Sequence, residues 1–406
     1  MQASSRSLSL GRLQGAEPSP AAAALTGDRY RPPAVLLDLA ALADVTFDGD
    51  RPWDIQVHDP AFYDRVLHAG ALGLGESYMD GLWDAEQLDE TLTRVLAAHA
   101  DQALDGAGSW RLRMRVALAL LRTRLINRQA GRRAFEVGER HYDAGNDLYR
   151  LMLDPTMTYS CGYWAEADDL DGAQRAKLEL ICDKLGLEPG QRVLDVGCGW
   201  GGFAEHAART RGVEVLGITV SRQQAAVAQE RCADLPVKID LQDYRNVSGT
   251  FDRVVSVGMF EHVGQKNYAD FFARIADWLA PDGLCLLQTI GTRDQNGVID
   301  PWFDKYIFPN GQLPHAAAIA SASRPHLIIE DWHAFGPDYD RTVMAWWDNV
   351  DRHRSELMEA GYDERFLRMW RYYLMASAGL FRSRRGQLWQ LVLSRPERRD
   401  TYRSVR

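Results

Sequence analysis

The chain has 406 residues, 46% of them hydrophobic, which suffices for one large domain or two. Its formal charge of −9 argues against nucleic acid as a partner, so any contact with a polyanion has to be local. Its five cysteines are odd in number and include no Cys-x-x-Cys pair, which argues against a disulfide framework or a zinc site and favours a reducing cytosol.

The first segment, residues 1–30, is rich in alanine, serine, glycine and proline, and we expect a disordered tail there. Its run AAAAL is too short for the hydrophobic part of a signal peptide, so we expect a cytoplasmic protein. No run in the sequence approaches the ~18 apolar residues of a membrane span. Any contact with a membrane is therefore expected from one side only.

Residues 31–108 are predicted to form a small, mostly helical N-terminal domain. Apolar side chains recur there at helical spacing, namely Phe62, Val66, Leu67, Leu88, Leu92, Val95 and Leu96. Between these groups, GALGLGESYMDGLW (70–83) is rich in glycine and aromatic residues, which predicts a loop or turn region.

Residues 109–140 are predicted to form a basic helix and linker. The stretch SWRLRMRVALALLRTRLINRQAGRRA (109–134) holds eight arginines and no acid, together with an apolar strip. A basic amphipathic helix suits an anionic lipid surface, where each cation contributes about 1 kcal/mol. The same pattern also fits an interdomain helix whose arginines pair with the acidic remainder of the chain. The sequence leaves both interpretations open.

Residues 141–396 alternate strands with amphipathic helices, and residues 397–406 are predicted to be a tail. Such alternation predicts an α/β domain with a doubly wound parallel sheet. The predicted strands are RVLDVG (192–197), VEVLGIT (213–219), VKIDLQD (237–243), FDRVVSVG (251–258) and GLCLLQTIG (283–291), with later candidates HLIIED (326–331) and QLWQLVLS (387–394).

The first of these strands ends in a glycine turn, VLDVGCGWGGFAEHAA, that leads into a helix. The spacing of Gly197, Gly199 and Gly202 fits G-x-G-x-x-G, which alone is compatible with a dinucleotide or with mere tight strand–helix packing. Asp195 lies two residues before the first glycine and would repel a pyrophosphate, but it can organise a cationic ligand. S-adenosylmethionine, with its sulfonium and amino groups, is such a ligand.

The second strand lacks the acidic residue that closes it in NAD-binding proteins, and offers Thr219 and Gln224 instead. The third strand ends in Gln242 and Asp243, which are candidates to meet an adenine ring. These features favour S-adenosylmethionine over a dinucleotide.

Long motifs along the chain resemble those of the cyclopropane-fatty-acyl-phospholipid synthases, S-adenosylmethionine-dependent enzymes related to the mycolic acid cyclopropane synthases. The resemblance covers roughly residues 50–396. Its motifs are HYDAGNDLYRLMLDPTMTYSCGYW (141–164), VLDVGCGWGG (193–202), FDRVVSVGMFEHVGQKNY (251–268), KYIFPNGQLP (305–314) and EDWHAFGPDYDRTVMAWW (330–347), together with GLGESYMDGLW (73–83).

This resemblance implies a class I methyltransferase fold and the conversion of a cis double bond in a phospholipid acyl chain into a cyclopropane ring. It also implies an N-terminal domain that engages lipid, a homodimer, and a position at the inner face of the cell membrane. The cofactor-binding residues that we infer are Tyr159, Ser160, Asp195, Gly197, Gly199, Thr219, Gln224, Gln242 and Asp243.

In the resembled family a bound bicarbonate ion acts as the base that closes the ring. The resemblance implies side chains of Glu261 and Tyr339, and main chain at Cys161 and Ile290, around that ion. Gln288 stands where the family usually has a histidine. Glutamine can donate a hydrogen bond, but it cannot carry a charge or shuttle protons.

Alkene methylation leaves a carbocation, so the site has to exclude water, and aromatic faces can stabilise the cation. The aromatic candidates within the motifs are Tyr159, Tyr163, Trp164, Phe260, Trp302, Tyr306, Phe308, Tyr339 and Trp346. Any one of them is also compatible with a place in the core.

Three other hypotheses stay open at this point. The same alkene can be methylated with loss of a different proton, which gives a methylene or methyl-branched chain. A small-molecule O- or N-methyltransferase would remain active without residues 1–140. A lipid-binding protein that has lost catalysis would not bind S-adenosylmethionine.

Overall fold

The computed structural model describes residues 32–100, 145–293 and 299–406. Its helices are α1 (Ala34–Leu42), α2 (Ala61–Ala69), α3 (Ala71–Met79), α4 (Leu88–Ala97), α5 (Asn146–Met152), α6 (Leu170–Leu185), α7 (Gly202–Arg211), α8 (Arg222–Arg231), α9 (Tyr268–Trp278), α10 (Pro301–Tyr306), α11 (Ala316–Ser323), α12 (Pro337–Arg352), α13 (Arg354–Glu359) and α14 (Glu364–Arg382). Its strands are β1 (Gln56–Val57), β2 (Trp83–Asp84), β3 (Arg192–Val196), β4 (Glu214–Thr219), β5 (Val237–Leu241), β6 (Phe251–Val257), β7 (Leu279–Thr292), β8 (Ile328–Ala334) and β9 (Gly386–Ser394).

Strands β3 to β9 form one seven-stranded sheet in the order β5-β4-β3-β6-β7-β9-β8. The first five strands in that order are parallel neighbours, as predicted. β9 instead pairs antiparallel with both β7 and β8, so the sheet is mixed: its parallel part ends at β7 and an antiparallel edge follows.

Both faces of the sheet are covered by helices because successive strand residues face opposite sides. Val255 packs into an apolar cluster with residues of α6 and α7. Its neighbour Val254 packs into a second cluster with residues of α9 and α11. The central strands are therefore buried on both sides, as a doubly wound fold requires.

The prediction of a loop over residues 70–83 is wrong, because α3 occupies most of this stretch. Gly73 and Gly75 lie inside the helix, where glycine costs about 1 kcal/mol relative to alanine. A Cβ atom on Gly75 would lie 2.4 Å from Trp302 Cδ1, and one on Gly73 would lie 2.2 Å from the Arg65 carbonyl oxygen. Close packing thus requires the two glycines, and the burial of Tyr78 and Met79 offsets their low helix propensity.

The N-terminal helices share one apolar core with helices that come much later in the chain. α14 packs against α3, α4 and α12. Ion pairs join the same elements: Arg382 binds Asp89 on α4 and Asp340 on α12, each at 2.8 to 2.9 Å. These contacts fix the predicted N-terminal domain, as far as the structure describes it, against the part of the chain that contains the seven-stranded sheet.

Two predicted segments lie outside the described residues, namely the tail at 1–30 and the basic segment at 109–140. Residues 397–406 are described, and they contact the sheet edge: Ser404 and Arg406 both donate hydrogen bonds to Asp331 on β8. Across the described ranges, each helix is either too short or too polar to span a bilayer.

We predict that Gly75→Leu lowers the free energy of unfolding by about 2 kcal/mol, because the new side chain displaces Trp302 from its fully buried position. Chemical denaturation measures the change. Ala41→Leu, at an exposed position of α1, is the control and should change stability by less than about 0.5 kcal/mol. Equal effects of the two substitutions would contradict the close packing of α3 on α10.

Candidate active site

A cavity of about 210 Å³ opens at the carboxyl ends of β3, β4, β5 and β6. Ligands bind at this edge in open α/β sheets, near the point where the strand order reverses. In this sheet the order reverses at β3, which lies between β4 and β6. All nine cofactor-binding residues inferred from the sequence line this cavity.

The glycine turn after β3 forms the floor of this first cavity. Gly197 has φ +89°, and a Cβ atom there would lie 2.8 Å from the Met259 Cβ atom. Gly199 also lies in the left-handed region, with φ +54°. Only glycine adopts both conformations without strain, so the sequence signal reflects a genuine backbone constraint.

Asp195 and Lys177 place opposite charges in the wall of the first cavity. Both side chains are buried, and the Asp195 Oδ2 atom has no hydrogen-bond partner among the described residues. Burial raises the pKa of Asp195 to about 7, although the nearby Lys177 charge lowers it. Burial likewise lowers the pKa of Lys177 to about 8, against the effect of nearby Asp154, Cys161 and Asp195. Sequence reasoning missed Lys177.

Hydrogen bonds hold Thr219, the last residue of β4, and the residues that follow it. The Thr219 hydroxyl donates to Gln224 Oε1 at 2.9 Å, and the Ser221 N–H donates to the Thr219 hydroxyl oxygen at 3.2 Å. Ser221 also caps α8 by accepting from the Gln224 N–H. Thr219 and Gln224 therefore present neutral polar groups where NAD-binding proteins have an acid, as predicted.

Gln242 and Asp243 line the cavity at the end of β5, but the Asp243 carboxylate is already engaged. It accepts hydrogen bonds from the Arg245 main-chain N–H at 2.9 Å and from Arg245 Nε at 2.8 Å. The Asp243 carboxylate therefore orders the turn after β5, and its contact with an adenine ring, like that of Gln242, stays a prediction.

Residues 158–164, called the strap below, run along the first cavity without regular secondary structure. α6 holds one end of the strap: Gln174 Nε2 donates to the Ser160 carbonyl at 2.8 Å, and Lys177 Nζ donates to the Ser160 hydroxyl at 3.0 Å. α12 holds the other end, where the Gly162 N–H donates to the Thr342 hydroxyl oxygen at 3.1 Å and the Trp164 N–H to Asp338 at 2.7 Å.

A second, smaller cavity of about 80 Å³ lies beyond the strap. It shares Tyr159, Ser160, Gly258 and His262 with the first cavity, so the two adjoin. All five residues predicted to act in catalysis line it: Cys161, Glu261, Gln288, Ile290 and Tyr339. The structure thus brings together residues that are spread over nearly 180 positions of the sequence.

Glu261 lies in a short 3₁₀ turn after β6, and its carboxylate is buried. Its Oε1 atom accepts the Ile290 N–H at 2.6 Å, and within the described part of the chain its Oε2 atom has no hydrogen-bond partner. Burial raises the pKa of Glu261 to about 7, while the Ile290 N–H lowers it. The Ile290 N–H thus binds a buried carboxylate in this structure, and the main-chain contact of Ile290 with an anion stays a prediction.

The Cys161 thiol has no nucleophilic character in this environment. Its Sγ atom donates to the Gly162 carbonyl at 3.1 Å, and burial raises the pKa of the thiol well above its usual range. His262, which borders both cavities, is kept neutral because burial lowers its pKa to about 4. Glu261 is therefore the group in this cavity whose pKa lies near neutrality.

Three of the predicted aromatic side chains, Tyr159, Phe308 and Tyr339, line the second cavity. Phe260 stacks on Tyr268 in the core, and Trp302 packs against Tyr372. The remaining predicted aromatics do not line this cavity and pack against other rings or cations, namely Tyr163, Trp164, Tyr306 and Trp346, of which Trp346 packs against the cavity-lining Tyr339.

Sequence reasoning missed Tyr373 on α14, which also lines the second cavity. Its hydroxyl lies 2.6 Å from the Tyr159 hydroxyl. The sequence around Tyr373 shows only the serine and tyrosine pattern of a buried helix. That pattern does not distinguish a side chain in the core from one that lines a cavity.

A family model described as mycolic acid cyclopropane synthetase matches residues 129–391. The chain belongs to this family. It is 51% identical over 358 residues to the cyclopropane-fatty-acyl-phospholipid synthase of Escherichia coli (strain K12), covering 88% of this chain and 92% of that protein. It is 35% identical over 361 residues to the tuberculostearic acid methyltransferase UfaA1 of Mycobacterium tuberculosis, covering 84% of this chain and 82% of that protein.

Solved structures agree with this assignment. The cyclopropane synthase MmaA2 from Mycobacterium tuberculosis is 34% identical, with a TM-score of 0.61 over 64% of this chain and 98% of that one. Coclaurine N-methyltransferase, at 22% identity and a TM-score of 0.61, shows a shared fold alone. Together they confirm the predicted class I methyltransferase fold.

We predict that Lys177→Met raises the pKa of Asp195 further, because the Lys177 charge lowers it in the native chain. If ligand binding needs the ionised carboxylate, the fall in S-adenosylhomocysteine affinity on acidification should then begin at a higher pH. Calorimetric titrations between pH 6 and 9 measure this shift. Lys184→Met, which removes a second buried lysine from α6 beside His333, is the control and should leave the pH dependence in place. Identical pH dependence in Lys177→Met would contradict the coupling.

Proposed function

We propose that this chain converts the cis double bond of an unsaturated phospholipid acyl chain into a cyclopropane ring, with S-adenosylmethionine as the methylene donor. The observation that carries the proposal is the second cavity. It places a buried carboxylate and aromatic walls directly beside a cofactor cavity, in a chain that is 51% identical to the Escherichia coli synthase.

The residues of the first cavity fit S-adenosylmethionine. The unpartnered Asp195 Oδ2 atom suits a cationic amino or sulfonium group, and the glycine turn leaves room for close approach of a ligand. Thr219, Gln224 and Gln242 offer neutral donors and acceptors for a ribose and an adenine ring. When bound, this cofactor supplies an electrophilic methyl group. A related structure, of the cyclopropane synthase CmaA1, was determined with S-adenosylhomocysteine.

The walls of the second cavity suit a carbocation on the acyl chain. Phe308, Ile299 and Leu388 exclude water, which would otherwise trap the cation. Tyr159 and Tyr339 offer aromatic faces, whose attraction for a desolvated cation amounts to about 2 kcal/mol. Tyr339 is fixed by stacking on Phe381 at 4.5 Å between ring centroids, so its face stays in place during the reaction.

We further propose that bicarbonate binds in the second cavity and removes the proton that closes the ring. The cavity of about 80 Å³ exceeds the roughly 10–15 Å³ that one water needs, so a small anion fits. Glu261 Oε2 is the oxygen available to share a proton with it, and Gln288 offers an amide. The anion also competes with Glu261 for the Ile290 N–H.

A methyl-branched product is the second candidate. It is favoured by the 35% identity to UfaA1, a tuberculostearic acid methyltransferase, and by Gln288, which lacks the charge of a histidine cation. The greater identity to the Escherichia coli synthase favours the ring. Incubation with S-adenosylmethionine and vesicles of unsaturated phospholipid separates the two: cyclopropyl proton signals in the fatty acids indicate the ring, and a methyl doublet indicates the branch.

We also propose that the chain works at the inner face of the cell membrane, because a phospholipid substrate resides there. We propose a homodimer as well, as the resemblance to the phospholipid synthases implies. The arginine-rich stretch 109–134 is the candidate contact with anionic headgroups, and it lies outside the described residues.

We predict that Glu261→Gln reduces turnover by at least about a hundredfold, because an amide cannot share the proton of the anion. S-adenosylhomocysteine affinity should be unchanged, since Glu261 lines only the second cavity. Turnover of unsaturated vesicles and calorimetry provide the two measurements. A wild-type rate in this variant would exclude the proposed role of Glu261.

We predict that replacing four arginines between positions 111 and 128 with serine weakens binding to anionic vesicles, and that the difference disappears at high salt. Sedimentation with vesicles measures the binding. The control replaces four exposed arginines elsewhere: Arg209, Arg222, Arg324 and Arg399. Binding that falls equally in both variants would indicate general charge attraction and would argue against a contact at 109–134.

A further inference from the structure

Three side chains form a row across β7, β9 and β8, on the face of the sheet covered by α6. Gln288 pairs in register with Gln390, and Gln390 pairs with His333. Because directly paired residues point to the same face, their side chains are neighbours. Gln288 and Gln390 are both buried, and the row begins at the second cavity, which Gln288 lines.

A hydrogen bond within this row determines which end of the Gln288 amide faces the cavity. Gln390 Nε2 donates to Gln288 Oε1 at 2.8 Å. The carbonyl oxygen of Gln288 is thus turned toward Gln390, which leaves its NH₂ group for a ligand in the cavity. An NH₂ group attracts an anion, whereas a carbonyl oxygen in its place would repel one.

The far end of the row lies beside the ion pair of Lys184 and Asp331. Lys184 on α6 lies with its Nζ atom 2.9 Å from His333 Nδ1 and 3.8 Å from Asp331. The Gln390 Oε1 atom is buried and has no hydrogen-bond partner among the described residues, so the orientation of this amide is supported by the bond that its NH₂ group makes to Gln288.

We propose that Gln390 is a positioning residue for anion binding: by holding the Gln288 carbonyl, it keeps the Gln288 NH₂ group directed into the second cavity. The inference rests on the proposed function, because the anion is the bicarbonate of that proposal. Gln390 therefore keeps the donor end of the neutral Gln288 amide facing the anion.

The test measures turnover of unsaturated phospholipid vesicles by the full chain, in buffer freed of carbon dioxide and titrated with bicarbonate. Gln390→Leu allows the Gln288 amide to rotate, so the half-saturating bicarbonate concentration should rise about tenfold. Gln390→Glu should raise it further, because an ionised carboxylate binds the Gln288 NH₂ group and turns the carbonyl toward the anion. The KM for S-adenosylmethionine should stay unchanged in both.

Gln288→Leu provides the background that separates positioning from general packing. Without an amide to orient, Gln390→Leu should raise the half-saturating concentration no further. Gln387→Leu, on the same strand, is the matched control and should behave as wild type, because the Gln387 amide bonds main-chain carbonyls of Arg384 and Gly386.

Two results would overturn the inference alone: wild-type bicarbonate dependence in Gln390→Leu, or an equal rise in the Gln288→Leu background. Wild-type turnover that persists without bicarbonate would instead overturn the bicarbonate step of the proposed function, and this inference with it. Thermal unfolding of every variant identifies those that fail to fold. If Gln390→Glu is among them, the comparison of Gln390→Leu in the two backgrounds decides the matter.

Discussion

The strap at residues 158–164 is the wall that both cavities share, and hydrogen bonds from α6 and α12 hold it in place. A main chain without regular structure needs such partners when it is buried, since an unpaired buried group costs about 1–3 kcal/mol. Gln174 and Thr342 supply them from two helices that are distant in sequence. A fixed wall matters here because methyl transfer depends on alignment of the two reacting groups.

Much of this arrangement could be predicted from local patterns. Apolar strands, helices between them and a glycine turn determine a sheet whose parallel strands end at one edge. Asp195 and Thr219 lie at the carboxyl ends of β3 and β4, and Glu261 follows β6, so the topology alone places them near one another. The resemblance to a known family added Cys161 and Tyr339, whose positions no periodicity reveals.

The parts that could not be predicted depend on contacts between distant segments. Gly75 lies inside α3 and packs closely against Trp302, which stands more than two hundred residues later in the chain. The Ile290 N–H on β7 binds Glu261 in the turn after β6. The sequence of neither segment indicates that the two meet. Lys177 did leave a signal: it lies on the same buried helix face as Leu178 and Ile181, where a lysine is out of place unless it has a partner.

Gln288 bears on how charge is balanced in the second cavity, if bicarbonate binds there as proposed. Burial already raises the pKa of Glu261 to about 7, and an adjacent anion raises it further. A histidine cation would offset that effect, but the Gln288 amide carries no charge. Glu261 and a bicarbonate ion would therefore share one proton at neutral pH, in addition to the proton that bicarbonate itself carries, with a net charge of −1. Methyl transfer would move a positive charge from the sulfonium of S-adenosylmethionine to the acyl chain, and so toward this negative site. The site is consequently better matched to the charge of the transition state than to that of the resting alkene, which is the condition for rate acceleration.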